Sequence, residues 1–302
     1  MNPQSQYRLG LVLVTGSAIA WSTAGYFTRL IGLDNWTLLF WRGIFAAIGI
    51  LVFMLAMDGR KAFGQFAALG APGWLFVIVS GASMVVYITS LTITTVAHVA
   101  IIYGIVPFVA AGMSWLVMRE KPTRIAIGAS TVALAGVVMM VGMGTREGSL
   151  FGDFLAFLMT VGMAVIMVIS RRHRTVPILA GACLSAILSS AACWPLAMHE
   201  LPTATQLGEL ALMGLVNSAI GISLFTLGSR MLPAVETGLI GSLDAPLAPV
   251  WVWLAFGETP GTNTILGGIL VFGAVLANIA LGARSRNAVP RAPLGATQSG
   301  VD

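Results

Sequence analysis

VWLAFGETP, residues 252–260, repeats in register the pattern of SWLVMREKP, residues 114–122. Trp115 aligns with Trp253, Leu116 with Leu254, Glu120 with Glu258 and Pro122 with Pro260, at a constant offset of 138 positions. Upstream, Gly10 to Arg29 matches Gly152 to Arg171, each pair spanning 19 positions. Self-similarity at so long a period marks duplication of half the chain rather than a short solenoid unit.

Composition says what is duplicated. The 302 residues are 57% hydrophobic and only 9% charged, where a soluble domain carries about 25% charged residues. A helix needs about 20 mainly apolar residues to cross a bilayer core. Ten charge-poor runs of that length occur, at 9–29, 36–57, 72–91, 95–118, 124–142, 151–171, 178–198, 206–229, 233–256 and 262–283. The expected fold is therefore all-α and integral to the membrane, with two five-helix repeats at 9–142 and 151–283. A short N-terminus at 1–8, a connecting loop at 143–150 and a polar, disordered tail at 284–302 complete it. A β-barrel is excluded, because these runs are continuously apolar rather than alternating over about ten residues. The triplet Ala18-Ile19-Ala20 could be taken for a signal-peptidase site, but only Arg8 precedes it and nine more runs follow. Cys183 and Cys193 lie on one expected helix, too far apart to bond to each other, and no Cys-x-x-Cys pattern implies a metal.

Basic residues set the topology. With the N-terminus in the cytoplasm and Arg42 left out as lying within a span, thirteen Lys and Arg fall inside and two, Arg29 and Arg146, outside. The net charge of +5 is thus read as a topology signal, not as affinity for nucleic acid. Because five is odd, the second copy enters the membrane from the opposite side, placing Glu120 at the cytoplasmic face and Glu258 at the outer one. Inverted repeats of this kind are a transporter signature, with a substrate site near the midplane between the halves.

Polar residues inside the spans are the candidates for that site. Asp244 falls near mid-bilayer, where an ionised carboxylate costs at least about 2.5–3.5 kcal/mol unless it faces a protein-lined or wet cavity. Pro246 and Pro249 beside it lack amide hydrogens and free carbonyls that such a cavity can use, although a structural kink would also need them. Pro107, after Tyr103 and Gly104, makes the fourth helix a second expected bend. Arg42 lies deep enough in the second span to need a partner and close enough to the surface to snorkel. Trp21, Ser22, Tyr87, Tyr103 and Asn217 add rings and hydrogen-bonding groups at plausible depth, as ligand contacts or as interhelical glue. His98 and Glu236 occupy equivalent repeat positions near the starts of their helices, as proton relays or as solvated interface residues. Gly128, Gly136, Gly267, Gly268 and Gly273 permit close helix approach, either within the chain or between two protomers.

In order and spacing these residues resemble the ten-helix EamA-type transporters of the drug/metabolite transporter superfamily. The motifs are Trp21-Ser22, Arg42, Pro107 through Glu120, Phe151-Gly152-Asp153, Arg171-Arg172, and APVWVWLAFGE ending at Glu258. The chain departs from the family pattern at Asp244-Ala245-Pro246, where the family often has proline directly after the acid. The resemblance implies a multi-pass carrier of the bacterial inner membrane that exports amino acids or related metabolites. It also implies helices 1–4 and 6–9 around a central cavity, with helices 5 and 10 peripheral.

The expected function is secondary transport by alternating access, with a small-molecule substrate, the lipid bilayer and in one version a proton as partners. Asp244, His98 and Glu236 are the titratable candidates for coupling, and facilitated diffusion is the uncoupled version. No phosphate-binding Gly-rich loop or cofactor motif is present, so a gradient or the substrate itself must supply the energy. Monomer and homodimer both stay open. An importer of a vitamin or nucleotide precursor is the nearest rival. A membrane-embedded enzyme fits less well, since His98, His173 and His199 are scattered and no paired acids occur. A channel lacks its filter.

Overall fold

The computed structural model describes residues 3–94, 96–141, 149–197, 201–257 and 259–287. Within them the chain is all-helical, with nine helices long and apolar enough to cross a membrane. In chain order these are α1 (Gln4–Ile31), α2 (Asn35–Ala67), α3 (Gly70–Ile93), α4 (His98–Met118), α6 (Leu150–Arg172), α7 (Ile178–Leu196), α8 (Ala204–Ser229), α9 (Ala234–Phe256) and α10 (Thr262–Leu281). The fifth expected span is a helix as well, α5 (Arg124–Met140), but a shorter one.

Local chemistry sets the ends. Asp34 caps α2 by accepting from the amides of Trp36 and Thr37. Ser149 caps α6, and Thr203 with Gln206 forms a capping box on α8. At the other ends, Gly32 and Gly257 terminate α1 and α9 in the left-handed conformation that favours glycine. Arg119 takes the same conformation at the end of α4, with φ of 58°, and its amide donates to Trp115 O as that of Gly257 donates to Trp253 O. Arg119 and Gly257 are 138 positions apart, so the two repeats end these helices with one motif.

The same symmetry runs through the packing. The principal helix pairs are α5 with α10, α2 with α7, α3 with α6 and α7, α8 with α1 and α2, and α4 and α9 with each other, α4 also meeting α6 and α9 meeting α1. Exchanging each helix for the one five places along leaves this set unchanged, which is what a pseudo-twofold axis between the repeats requires. Surface exposure follows the rule too: Trp115 and Trp253 are 50% and 47% exposed, Leu116 and Leu254 72% and 67%. Large apolar side chains exposed along most helices belong against lipid rather than water.

The glycines of α5 and α10 face each other within the chain. A Cβ on Gly136 would stand 2.7 Å from the carbonyl oxygen of Gly267, and one on Gly267 would meet that of Gly136. Of the two readings left open for these residues, the close approach is thus intramolecular at this pair.

Candidate functional site

Four helices depart from regular winding, and the departures meet. In α4 the helix is interrupted at Gly104-Ile105, and in α9 at Ser242-Leu243, again 138 positions apart. The amides of Leu243 and Ala245 donate to Ile240 O and Ser242 O, tighter turns than α-helical ones. Asp244 opens the second half-helix of α9, Asp244–Phe256. Pro246 is its third residue, where an amide has no intrahelical acceptor in any case, so it marks the restart of the helix without losing a bond. Pro107 plays that part in Val106–Met118 of α4. Pro249, expected at a bend, lies instead inside the continuous second half of α9.

The other two irregularities were not expected. α1 turns at Thr23 between its two halves, with the Thr23 hydroxyl donating to Ala20 O at 2.6 Å. α8 contains a π-helical turn at Gly214–Ile220 that carries Asn217. The Asn217 amide nitrogen donates to Ala20 O at 3.2 Å and Trp21 O at 3.1 Å, satisfying carbonyls beside the turn in α1. Its oxygen accepts from Arg42 Nη1 at 3.3 Å. Arg42 Nη2 reaches Met84 Sδ at 3.3 Å, and the buried Nε has no partner among the described residues. Gly214 permits this approach, for a Cβ there would stand 2.9 Å from Arg42 O. From α9, Trp251 Nε1 donates to the buried Ser22 hydroxyl at 2.8 Å, and the Trp21 ring lies 4.8 Å from that of Phe225.

Tyr87 and Tyr103 pack around one small cluster formed by Val99, Ala156 and Met159. Tyr87 lies within Coulombic reach of both Arg42 and Asp244, and Tyr103 within reach of Asp244 and Tyr87. Arg42, Tyr87, Tyr103 and Asp244 are each half-buried within the spans. Polar side chains at such depth are expected to border a hollow between the repeats rather than lipid.

His98 and Glu236 stand elsewhere, at helix ends. His98 Nδ1 lies 2.9 Å and 3.0 Å from the Asp153 oxygens, and Thr94 donates to the same carboxylate at 2.7 Å, joining α3 and α4 to α6. Glu236, buried, accepts from the Tyr7 hydroxyl at 2.7 Å, joining α9 to α1. These are the same helix junction in the two repeats, built from different residues.

A latch absent from the sequence-based set lies at the Glu236 end. Arg171 grips Glu120 through Nε and Nη2 at 2.9 Å and 3.0 Å and donates Nη1 to Leu232 O at 2.6 Å. Arg172 donates to Val117 O at 2.7 Å, and Arg230 to Val176 O. The ends of α4, α6 and α8 and the start of α9 are thereby tied together. The repeat match of Arg29 with Arg171 pointed at this position; Glu258, the repeat mate of Glu120, lies outside the described residues.

Packing breaks the pseudo-symmetry at the same end. The second half of α8 touches α6 and α7, and the first half of α9 touches α5 and α6, while the symmetry-mates α3 with α1 and α2, and α4 with α10 and α1, have no comparable contact. The bundle is packed more closely toward Arg171 than toward the opposite end. On that looser side an apolar groove of about 400 Å³ lies among Tyr26, Phe27, Leu212, Val216, Trp251 and Leu254. Trp251 in its wall is the residue that donates to Ser22.

Residues 8–142 and 150–280 match the EamA-like transporter family, one copy in each half. The chain is similar to an uncharacterized transporter, YyaM, of Bacillus subtilis (strain 168), at 23% identity over 290 residues, covering 89% of this chain and 90% of the relative. A protein crystal structure superposes with a TM-score of 0.77 at 18% identity, over 91% of this chain and 99% of the other; at that identity the likeness concerns the fold.

Proposed function

Given that this chain belongs to the EamA-like transporter family, we propose that it exports amino acids or related small metabolites across the bacterial inner membrane by alternating access. The observation that carries the reading is that helix interruptions of both repeats, in α1 and α4 and in α8 and α9, come together with polar side chains inside the spans, Arg42 being held there by Asn217. Helices from both repeats meet there, as expected of a carrier whose substrate sits between inverted halves.

With both termini in the cytoplasm, Arg171 and Glu120 lie at the inner mouth, and the closed end is the cytoplasmic one. The conformation is then outward-facing. Because the principal contacts are two-fold symmetric and the extra ones are not, exchanging the two arrangements would open the inner mouth and close the outer one. Transport follows from that exchange without any other element having to unfold. Asp244 is the residue assigned to proton coupling; His98 and Glu236, held in contacts at the mouths, act on gating instead.

The test is an efflux screen of cells expressing the chain, followed by counterflow in proteoliposomes with and without a pH gradient. Saturable, substrate-specific counterflow is expected. Full gradient-driven uptake by Asp244→Asn would remove the proton role, and flux that does not saturate would replace the carrier with a pore.

A further inference from the structure

The first half of α8 and the second half of α9 each pack on the second half of α1, yet they make no contact of comparable extent with each other. The groove of about 400 Å³ lies in the gap between them, with α1 as its floor. Its walls are stripes at helical spacing, Leu212 and Val216 on α8 and Trp251, Leu254 and Ala255 on α9, so the groove runs along the helices. It starts beside Ala255, next to the end of α9 at Phe256, and reaches Val216, which lies about 18 Å along α8 from its start at Ala204. That is close to the depth of one leaflet, half of a bilayer core of about 30 Å.

The side chains around this space are fixed and cannot fold in to fill it. Two of the four helix irregularities line it, through Thr23 at the turn of α1 and Val216 in the π-turn of α8. Trp251 is held by its bond to Ser22 at 2.8 Å, and the Tyr26 ring lies 5.1 Å from that of Phe27 and 5.8 Å from that of Phe256. Thr23 spends its hydroxyl on Ala20 O, and Trp251 its only donor on Ser22. Waters in the groove would each need about two to four polar partners, which such walls do not supply. Left empty, the walls would lose their dispersion contacts outright. Leu212 and Leu254 at the lips are 51% and 67% exposed and continue into the lipid-facing surface, so hydrocarbon can enter from the side.

We propose that one acyl chain of a lipid in the adjoining leaflet lies in this groove as a wedge between α8 and α9. Resting on the carrier reading above, which makes this end the outer one, the chain is a ligand of the outward-facing conformation. Closing the outer mouth brings α8 and α9 together and expels it, so the lipid weights the exchange of conformations.

The test places the full chain in nanodiscs containing phosphatidylglycerol with a photoactivatable diazirine on one acyl chain, and adducts are mapped by mass spectrometry. Groove adducts are read as a ratio to those at Ile269 and Leu276 of α10, which are 61% and 65% exposed, so that labelling yield cancels. Adducts should favour the groove, shallow diazirines marking Ala255 and deep ones Val216. Val216→Phe fills the groove from α8, and Ala255→Phe fills it without altering the π-turn; each should lower the ratio about tenfold, since no void is left to occupy. The wedge is read as the distance between spin labels at Thr205→Cys and Trp253→Cys, with Cys183 and Cys193 replaced by alanine. Exchanging lipid for a fluorinated surfactant, which mixes poorly with hydrocarbon, should shorten that distance by about 4 Å, the width of one chain in van der Waals contact. Phosphatidylglycerol should restore it, and Val216→Phe should keep the longer distance under both conditions. Adducts no commoner in the groove than on α10 and unmoved by both variants would overturn the site, and a distance indifferent to lipid would overturn the wedge. Displacement of the adducts by a carried compound would give the groove to the cargo, and protein-to-protein adducts would give it to a second copy, either against the proposal. Neither readout requires transport: lipid-dependent distances without counterflow remove the carrier reading and keep the site, and counterflow without groove adducts does the reverse.

Discussion

Replacing Glu120 by Gln should open the mouth that Arg171 closes, by an amount the geometry sets. Glu120 accepts two charge-assisted bonds from Arg171, at 2.9 Å and 3.0 Å. Bonds of that type contribute about 1.5–3 kcal/mol when shielded. The Glu120 side chain is 42% exposed, against 15% for Arg171, and exposure of that degree lowers the worth of the pair to about 1 kcal/mol. Glutamine keeps one acceptor oxygen but turns an amide donor toward the guanidinium, so most of that is lost. If the pair exists only while the mouth is closed, losing about 1 kcal/mol shifts the closed-to-open ratio about fivefold. The assay places a single cysteine in the hollow by Tyr103→Cys, in a background with Cys183 and Cys193 replaced by alanine. Modification by a membrane-impermeant thiol reagent is timed from each side of oriented vesicles. Glu120→Gln should raise the rate about fivefold from the Arg171 side and lower it from the other. An unchanged rate would refute the latch, and an equal rise from both sides would mean loosening of the whole bundle.

Three further outcomes are expected. Arg119→Gly should stabilise the protein by about 0.5–1 kcal/mol in thermal unfolding, because glycine relieves a left-handed conformation costing about 1–2 kcal/mol while losing somewhat more chain entropy. Gly267→Val should cost about 1–3 kcal/mol of stability in thermal unfolding, since a Cβ there stands 2.5 Å from Met140 Cγ and presses on the Gly136 carbonyl. Asn217→Leu should cost about 2–4 kcal/mol by stranding buried polar groups on α1 and Arg42, and unfolding in mild detergent would register it.

What could be read in the sequence was whatever depends on local pattern. Apolar length placed most span ends within a few residues, the run at 151–171 being the helix Leu150–Arg172 and that at 233–256 Ala234–Phe256, although α2, expected at 36–57, runs ten residues further to Ala67. Proline chemistry located the interruptions of α4 and α9, though both fall two to four residues before the proline, because a proline is best tolerated in the first turn of the helix it begins. The turn in α1 and the π-turn in α8 have no proline to announce them. They are joined by Asn217, whose acceptors at Ala20 and Trp21 lie nearly two hundred residues away, a relation no local period encodes. For the same reason Arg42 could be marked as needing a partner without that partner being named. His98 and Asp153 each stood out in the sequence, yet their pairing depends on how α4 meets α6.

The residues of the hollow are also where the two repeats disagree. At the offset of 138 that aligns the helix caps and interruptions, Asp244 corresponds to Val106 and Tyr103 to Gly241. The turn at Thr23 belongs to α1, while its counterpart α6 is an unbroken helix over Leu150–Arg172. The π-turn belongs to α8, and α3 is continuous over Gly70–Ile93. Two identical halves would surround the midplane with paired like groups, two acids or two arginines facing across the axis, and like charges in a membrane interior repel without water to screen them. Duplication therefore accounts for the frame, while divergence at a few central positions sets the groups that would face the proposed ligand. Restoring symmetry separates the two: Asp244→Val, which copies Val106 into the second repeat, should leave the mouths exchanging, as read by two-sided cysteine labelling, while counterflow of the ligand is lost. Loss of the exchange itself would show that Asp244 belongs to the moving frame rather than to the ligand site.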